Sequence, residues 1–272
     1  MQSKSISILG CGWLGFPLAQ CLIQLGFTVK GSTTTVTKFS AFQENHIHPF
    51  YLTCDPVLRG ENLKNFFESK ILFLNIPFKR DLADPLIYTK QIESVVKCAE
   101  NSSVEFIIFA SSTSVYPDTM LDAYEDLDFQ PDNPRSQVLF EIEKNLLQNK
   151  HFNATVIRFA GLCGGNRQVG KFLSHKKNLE NADSPVNLIY LDDCVDIVVK
   201  IIQHNIRSEI FNACCDEHPT RRELYTKTAL NLGLEPPQFI DSKKVHVKVV
   251  RNKKIKEQLG YTFKYPDPLN FP

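Results

Sequence analysis

This 272-residue chain predicts an α/β fold, a doubly wound parallel sheet with a smaller interleaved C-terminal lobe, on three observations. Strand-like and helix-like stretches alternate through the first two thirds, the pattern of parallel strands joined by crossover helices. The central strand candidate, Phe106-Ile107-Ile108-Phe109-Ala110, is apolar throughout, as a strand covered on both faces must be. The opening strand candidate ends in a glycine-rich turn that runs directly into a helical pattern.

The elements follow in order. Ile6-Ser7-Ile8-Leu9 is a short apolar strand ending at Gly10. Trp13 to Leu25 has Leu14, Leu18, Cys21, Leu22 and Leu25 at helical spacing, with Gly26 where a helix C-terminal glycine belongs. Phe27-Thr28-Val29 opens a second strand, Pro49 to Thr53 forms a third and Ile71 to Leu74 a fourth. Leu86 to Ala99 is an amphipathic helix. After the central strand, Pro134 to Gln148 is a helix and Thr155 to Phe159 a sixth strand. Past Ala160 the pattern loosens into a Gly-rich loop and a short strand at Val186–Ile189. A helix to about Gln203 follows, with Asp192 or Asp193 placed to cap it. Arg222–Leu232 is a further helix, followed by a Pro-Pro break and a Lys-rich tail. The expected dinucleotide-binding domain is 1–160 with about 185–210. The remainder, about 161–184 and 211–272, forms a small substrate lobe.

Composition narrows the function. Lys+Arg 31 against Asp+Glu 30 gives no field to attract a polyanion, so no nucleic-acid partner is expected. No apolar run approaches the roughly 20 residues of a membrane span. No secretory signal pattern opens the chain. The eight cysteines form no C-x-x-C pair and match no zinc spacing, so they read as reduced thiols and the expected location is cytoplasmic.

The sharpest local signal is Gly10-Cys11-Gly12-Trp13-Leu14-Gly15, a G-x-G-x-x-G after a strand and before a helix. The first glycine permits the tight turn, the second lets backbone approach a pyrophosphate, and the third lets helix and strand pack closely. The helix start offers N–H groups and partial positive charge to the phosphates. This pattern predicts a Rossmann-type dinucleotide site. NAD-binding versions place an acid after the second strand, on the ribose diol. Here no acid stands between Gly10 and Glu44; Ser32, Thr33, Thr34 and Thr35 stand there instead, with Lys38 just beyond. Hydroxyls and a cation suit a 2′-phosphate, so NADP(H) is favoured over NAD(H). Asp55, after the third strand, is placed to accept from the adenine amino group. Asn75-Ile76-Pro77, ending the fourth strand, belongs beside the cofactor ribose.

Ser111-Ser112-Thr113-Ser114-Val115-Tyr116-Pro117 follows the most buried strand, where such sheets place chemistry. It resembles the S-S-x-S-V-Y-G motif of the extended short-chain dehydrogenases/reductases, the NAD(P)-dependent epimerase/dehydratase group, with Pro117 for Gly. Arg158-Phe159-Ala160-Gly161-Leu162-Cys163-Gly164-Gly165-Asn166-Arg167 resembles that family's R-x-x-G-x-x-G-x-x-R stretch. Asn187 through Asp193, and Asn212 through Pro219, resemble its two later asparagine segments. The glycine spacing is closer to the family's atypical branch.

The resemblance implies a small-molecule substrate, possible homodimer pairing through helices such as 86–99 and 134–148, and roles for particular residues. Ser111 would lie beside the cofactor and Ser112 would hold the substrate oxygen at the nicotinamide. Arg167 would meet an anionic substrate group. The family's proton donor is a Tyr followed four residues later by a Lys that lowers its pKa. Aligned on Glu143, this chain has Arg135 and Leu139 there. Lys144, about 180° round the helix from Arg135, cannot substitute. Arg is a poor acid, though it can polarise a carbonyl or hold a carboxylate or phosphate. Tyr116 is the other candidate acid.

The expected function is oxidoreductase-type chemistry on a carbonyl or hydroxyl, such as that of a sugar nucleotide. The alternative is a non-catalytic NADP(H)-binding protein that senses redox state or scaffolds a partner. A β-hydroxyacid dehydrogenase would need a long all-helical second half, which the strand signals at 186–190 and 209–213 oppose. A methyltransferase would want an acid after the second strand.

Overall fold

The structure, a computed structural model, describes residues 4–79, 82–240 and 246–272. Its strands are β1 (Ser5–Leu9), β2 (Thr28–Thr33), β3 (His48–Cys54), β4 (Leu58–Gly60), β5 (Ile71–Leu74), β6 (Phe106–Ser112), β7 (Asp122–Ala123), β8 (Asn153–Phe159), β9 (Gly161–Cys163), β10 (Leu188–Tyr190), β11 (Ile210–Ala213) and β12 (Val249–Val250). Its helices are α1 (Gly15–Gln24), α2 (Phe39–Glu44), α3 (Leu63–Phe66), α4 (Leu86–Glu100), α5 (Pro134–Leu147), α6 (Gly170–Leu173), α7 (Leu191–Gln203), α8 (Arg221–Asn231) and α9 (Lys253–Leu259).

An eight-stranded sheet runs in the order β11-β8-β6-β5-β1-β2-β3-β4. The pairs of β1 with β2, β1 with β5, β2 with β3 and β5 with β6 are parallel, whereas β4 folds back antiparallel on β3. This is the doubly wound α/β sheet expected. The chain winds outward from β1 through β2 to β3, then returns to place β5 on the other flank of β1. The order therefore reverses at β1, and ligands of such sheets bind outside the carboxyl ends of the strands at that point.

The chain divides into two compact units, Met1–Ser111 with Asn133–Ile157 and Val198–Ile210, and Ser112–Asp132 with Arg158–Ile197 and Phe211–Pro272. Of the residues expected in the dinucleotide-binding domain, 112–132, 158–160 and 185–197 fall in the second of these units. In the first unit, Ile6, Ile8, Leu18, Leu22, Val29 and Phe109 have no exposed surface, which explains the apolar run of each strand. α1 closes on Gly26, at φ +81°, as read from sequence. The Phe27 N–H reaches the Leu22 carbonyl at 3.0 Å and the Gly26 N–H the Ile23 carbonyl at 2.9 Å, a Schellman stop. α5 starts from Asn133, whose side chain accepts from the Arg135 and Ser136 N–H groups, with Pro134 opening the helix.

In the second unit, β9 pairs in parallel with β10 and β12 with β7. Cys163, Val169, Val186, Leu188, Leu224 and Tyr225 form one core cluster. α8 is closed by a reciprocal cap between Thr220 and Glu223. Neither Asp192 nor Asp193 caps α7; both lie inside its first turn. The Asp193 carboxylate, fully buried, instead accepts from the Tyr261 hydroxyl at 2.6 Å and the Lys264 and Tyr265 N–H groups. It pins the C-terminal tail, a long-range duty that sequence spacing cannot show.

Candidate functional site

The glycine loop sits at the carboxyl end of β1, where the strand order reverses. Gly10 has φ +98°, and a Cβ there would lie 2.3 Å from the Asn75 carbonyl oxygen. Gly15 opens α1 against β1, and a Cβ there would lie 2.6 Å from the Gly10 oxygen and 2.9 Å from Ile8 Cγ2. Gly12 differs, because a Cβ there would meet nothing within 4 Å. The fold requires glycine at 10 and 15, but nothing in the fold requires it at 12. α1 begins with no side-chain cap hydrogen bond and no acid in its first turn. An uncapped, positively polarised helix start beside a backbone cradle is what a pyrophosphate needs. Cys11 is buried in this loop, and desolvation pushes its thiol up to about 12, so it is neutral.

The end of β2 departs from a simple row of free hydroxyls. Ser32 is buried, and its Oγ accepts from the Gly10 N–H at 2.9 Å, while its carbonyl accepts from Cys11 N–H. Thr33 Oγ1 accepts from the Thr35 N–H at 3.1 Å. Both hydroxyls shape the loops. Thr34 and Lys38 are exposed on the same edge, and so is Asp55, in the turn from β3 to β4.

Asn75 links the end of β5 to the end of β1. Its Nδ2 donates to the Gly10 carbonyl at 2.9 Å, and its own N–H bonds to Leu9 O. The loop that follows is held from two sides. The Tyr88 hydroxyl donates to Ile76 O at 2.9 Å, and its ring stacks on Phe78 at 4.3 Å and 7°. The Arg135 guanidinium lies over the same Phe78 ring, 3.8 Å from its centroid, and donates to Phe78 O at 3.1 Å and Lys79 O at 3.0 Å. Leu139, at the position of the family's Lys, is buried at 3% exposure among the apolar residues of α5.

Ser111 is buried, and its Oγ donates to the buried Glu143 side chain, bracing α5. Ser112 is half-buried, and its Oγ accepts from the Ser114 N–H at 3.1 Å. Tyr116 corrects an expectation. It is 1% exposed, and its hydroxyl faces Asn212 Oδ1 at 2.9 Å and Tyr124 O at 3.2 Å and accepts from Arg158 at 2.6 Å. Burial, opposed by the Arg158 cation, pushes the phenol up to about 12. The hydroxyl is thus buried behind protein partners and its proton faces Asn212 Oδ1, away from solvent. Arg167 is exposed on the Gly164–Arg167 turn, where Gly164 and Arg167 exchange backbone bonds.

The network around Tyr116 was not foreseen. Asn212 donates through Nδ2 to Ala123 O and Arg251 O, and its N–H reaches Glu125 Oε1 at 2.7 Å. Burial holds the Glu125 carboxyl above the usual carboxylate range. Arg158, 2% exposed, lies over the Tyr116 and Phe129 rings. The sequence signal was present, since Tyr116, Arg158 and Asn212 are the marked positions of three separate motifs. That the three side chains meet is a tertiary fact.

No family model matches the chain. A short-chain dehydrogenase/reductase superfamily protein from Agrobacterium tumefaciens, solved with bound NAD, superposes with TM-score 0.77 at 18% identity, over 96% of this chain and 92% of that one. The UDP-glucose 4-epimerase of Thermotoga maritima, solved with UDP-glucose, superposes with TM-score 0.74 at 17% identity, over 96% and 94%. The fold is that of the short-chain dehydrogenases/reductases and epimerases. In sequence, the chain is 33% identical over 274 aligned positions to Protein YeeZ of Escherichia coli K12, covering 99% of each. It belongs to the family of Protein YeeZ.

Proposed function

We propose that this chain is an NAD(P)-dependent oxidoreductase of the epimerase/dehydratase type, acting on a carbonyl or hydroxyl of a small molecule such as a sugar nucleotide. The observation that carries this reading is Gly12, a glycine kept where the fold leaves room for a side chain, beside an uncapped helix start. The pyrophosphate would lie on Gly10–Gly15, with Trp13 and Leu14 leading into α1. Asp55 would face the adenine, and Asn75-Ile76-Pro77 would flank the ribose. When bound, the nicotinamide ring supplies or accepts hydride. The solved neighbours that hold NAD and UDP-glucose support the class of ligand.

Ser112 is the residue proposed to act on the substrate oxygen. A hydroxyl has one donor and two acceptor sites. Its acceptor side takes the Ser114 N–H, so its own proton is available to a carbonyl oxygen. Ser112→Ala is expected to leave dinucleotide affinity within twofold and to lower turnover at least 100-fold, read by steady-state assay against a carbonyl panel. Turnover at the wild-type rate would move the chemistry elsewhere. Arg167 is proposed to meet a substrate anion.

NADP(H) is proposed as the preferred form, with exposed Thr34 and Lys38 meeting the 2′-phosphate. Lys38→Glu replaces an attractive charge with a repulsive one, so NADPH should weaken about tenfold or more, roughly 1.4 kcal/mol, while NADH changes little. Paired titrations read this directly, and equal loss for both nucleotides would remove Lys38 from phosphate recognition.

A second reading has its own observation. The relay positions hold Arg135 and buried Leu139, and the Tyr116 hydroxyl is saturated. A protein that binds NADP(H) without turning it over fits those facts. Bound NADPH left unoxidised by every carbonyl of the panel would select it.

A further inference from the structure

We infer that Arg135 is a positioning residue for the cofactor: it holds the loop after β5 in the shape that the glycine loop needs. The inference rests on the dinucleotide reading above. It assigns to Arg135 a task different from proton transfer or from gripping a substrate anion.

The loop Asn75–Lys79 is fastened at successive points within the first unit. At its start, Asn75 Nδ2 donates to Gly10 O at 2.9 Å, joining the loop to the turn that would carry the pyrophosphate. One residue on, Ile76 O accepts from the Tyr88 hydroxyl. At its far end, Phe78 is gripped in a stack, with the Tyr88 ring parallel at 4.3 Å and the Arg135 guanidinium 3.8 Å from its centroid. The same guanidinium spends one Nη on Phe78 O and the other on Lys79 O. Tyr88 is 1% exposed and cannot shift without disturbing the core. Pro77, between Ile76 and Phe78, supplies no N–H donor to the loop. Arg135 is thus the closing clasp of a loop whose other end is bonded to Gly10.

A guanidinium suits this task because it is planar, permanently charged and forked. Its face rests on the aromatic ring while its two Nη groups reach successive carbonyls. A Lys ammonium also has donors for carbonyls, but it has no plane to lie on the ring while two separate Nη groups each meet a carbonyl. Arg135 stands on the second residue of α5, whose start is fixed by the Asn133 cap, so the clasp is carried by a rigid element. Charge, planarity and anchorage together give the position a purpose that does not require a substrate.

The test compares Arg135→Ala, Arg135→Lys and Phe78→Leu with the wild type in two measurements. Amide hydrogen exchange without nucleotide reads the loop itself, and NADPH titration by nicotinamide fluorescence reads its consequence. Exchange at Asn75, whose N–H is held by Leu9 O at 2.9 Å, should rise at least tenfold in Arg135→Ala, with Ile6–Ile8 and the end of α5 unchanged. NADPH should bind at least tenfold more weakly, with the melting temperature within about 3 °C of wild type. Arg135→Lys should recover part of the affinity, and Phe78→Leu should fall between it and Arg135→Ala. Should Arg135→Ala fail to fold, the same ordering of the other two against wild type decides the matter. Wild-type affinity in Arg135→Ala, or unchanged exchange in the loop, overturns the inference and leaves the dinucleotide reading standing. A wild type that binds neither NADPH nor NADH overturns the dinucleotide reading itself.

Discussion

Gly12→Val should abolish dinucleotide binding and leave the fold intact. Outside the adjoining residues, no heavy atom lies within 4 Å of a Cβ built on Gly12, and its φ lies outside the left-handed region, so a Cβ enters without clash or backbone strain. The melting temperature should stay within about 2 °C of wild type, since such substitutions change stability by roughly 0.5 kcal/mol. The added methyl groups would, however, stand where the pyrophosphate must touch backbone. Affinity should fall at least 100-fold, roughly 3 kcal/mol. Gly15→Val is the contrasting control. Its Cβ lies 2.6 Å from Gly10 O and 2.9 Å from Ile8 Cγ2, both part of the packed junction of β1 and α1. Overpacking there should cost about 3 kcal/mol of stability. Denaturant titrations and nucleotide titrations on the two variants separate a glycine kept for a ligand from one kept for packing. Wild-type affinity in Gly12→Val would remove the phosphate loop from the account.

Asn212→Ala should be the most damaging conservative change in the second unit. The residue is fully buried, and its side chain makes three hydrogen bonds, to Tyr116 Oη, Ala123 O and Arg251 O. Alanine leaves those buried partners without it, at about 1–3 kcal/mol for each one that finds no substitute. Tyr116 still has Tyr124 O and Arg158 within reach, so the two carbonyls carry most of the cost. The expected loss is about 3–4 kcal/mol in urea unfolding. Asn212→Asp keeps the acceptor but removes both donors and buries a carboxylate near Glu125, so it should be no better. A loss under about 1 kcal/mol would show that Tyr116 and its surroundings are not organised by Asn212.

Much of the first unit was legible because its physics is local. Strands covered on both faces read as apolar runs, and the glycines at 10, 15 and 26 mark places where a Cβ or a negative φ does not fit. Helix ends at Asn133 and Gly26 follow from capping chemistry that spans a few residues. What escaped was short or long-range. β4, β7, β9 and β12 are two or three residues long and show no alternation to read. The hydroxyls of Ser32 and Ser111 looked free in sequence, but folding gives them partners at Gly10 and Glu143. Asp193 looked like a cap because it precedes a helical pattern, but its partners come from residues 261–265. Arg135 shows the same limit. Its place in the helix was read correctly, and its Phe78 and Lys79 partners were invisible until the loop was placed.

The central claim is that the glycine loop holds a dinucleotide, and one measurement tests it most directly. The purified protein is titrated with NADPH and with NADH, following nicotinamide fluorescence, with Gly12→Val alongside as the blank. The account predicts saturable binding of both by the wild type, NADPH the tighter, and none by the variant. Wild-type protein that binds neither nucleotide at millimolar concentration, or a variant that binds as well as wild type, would contradict it.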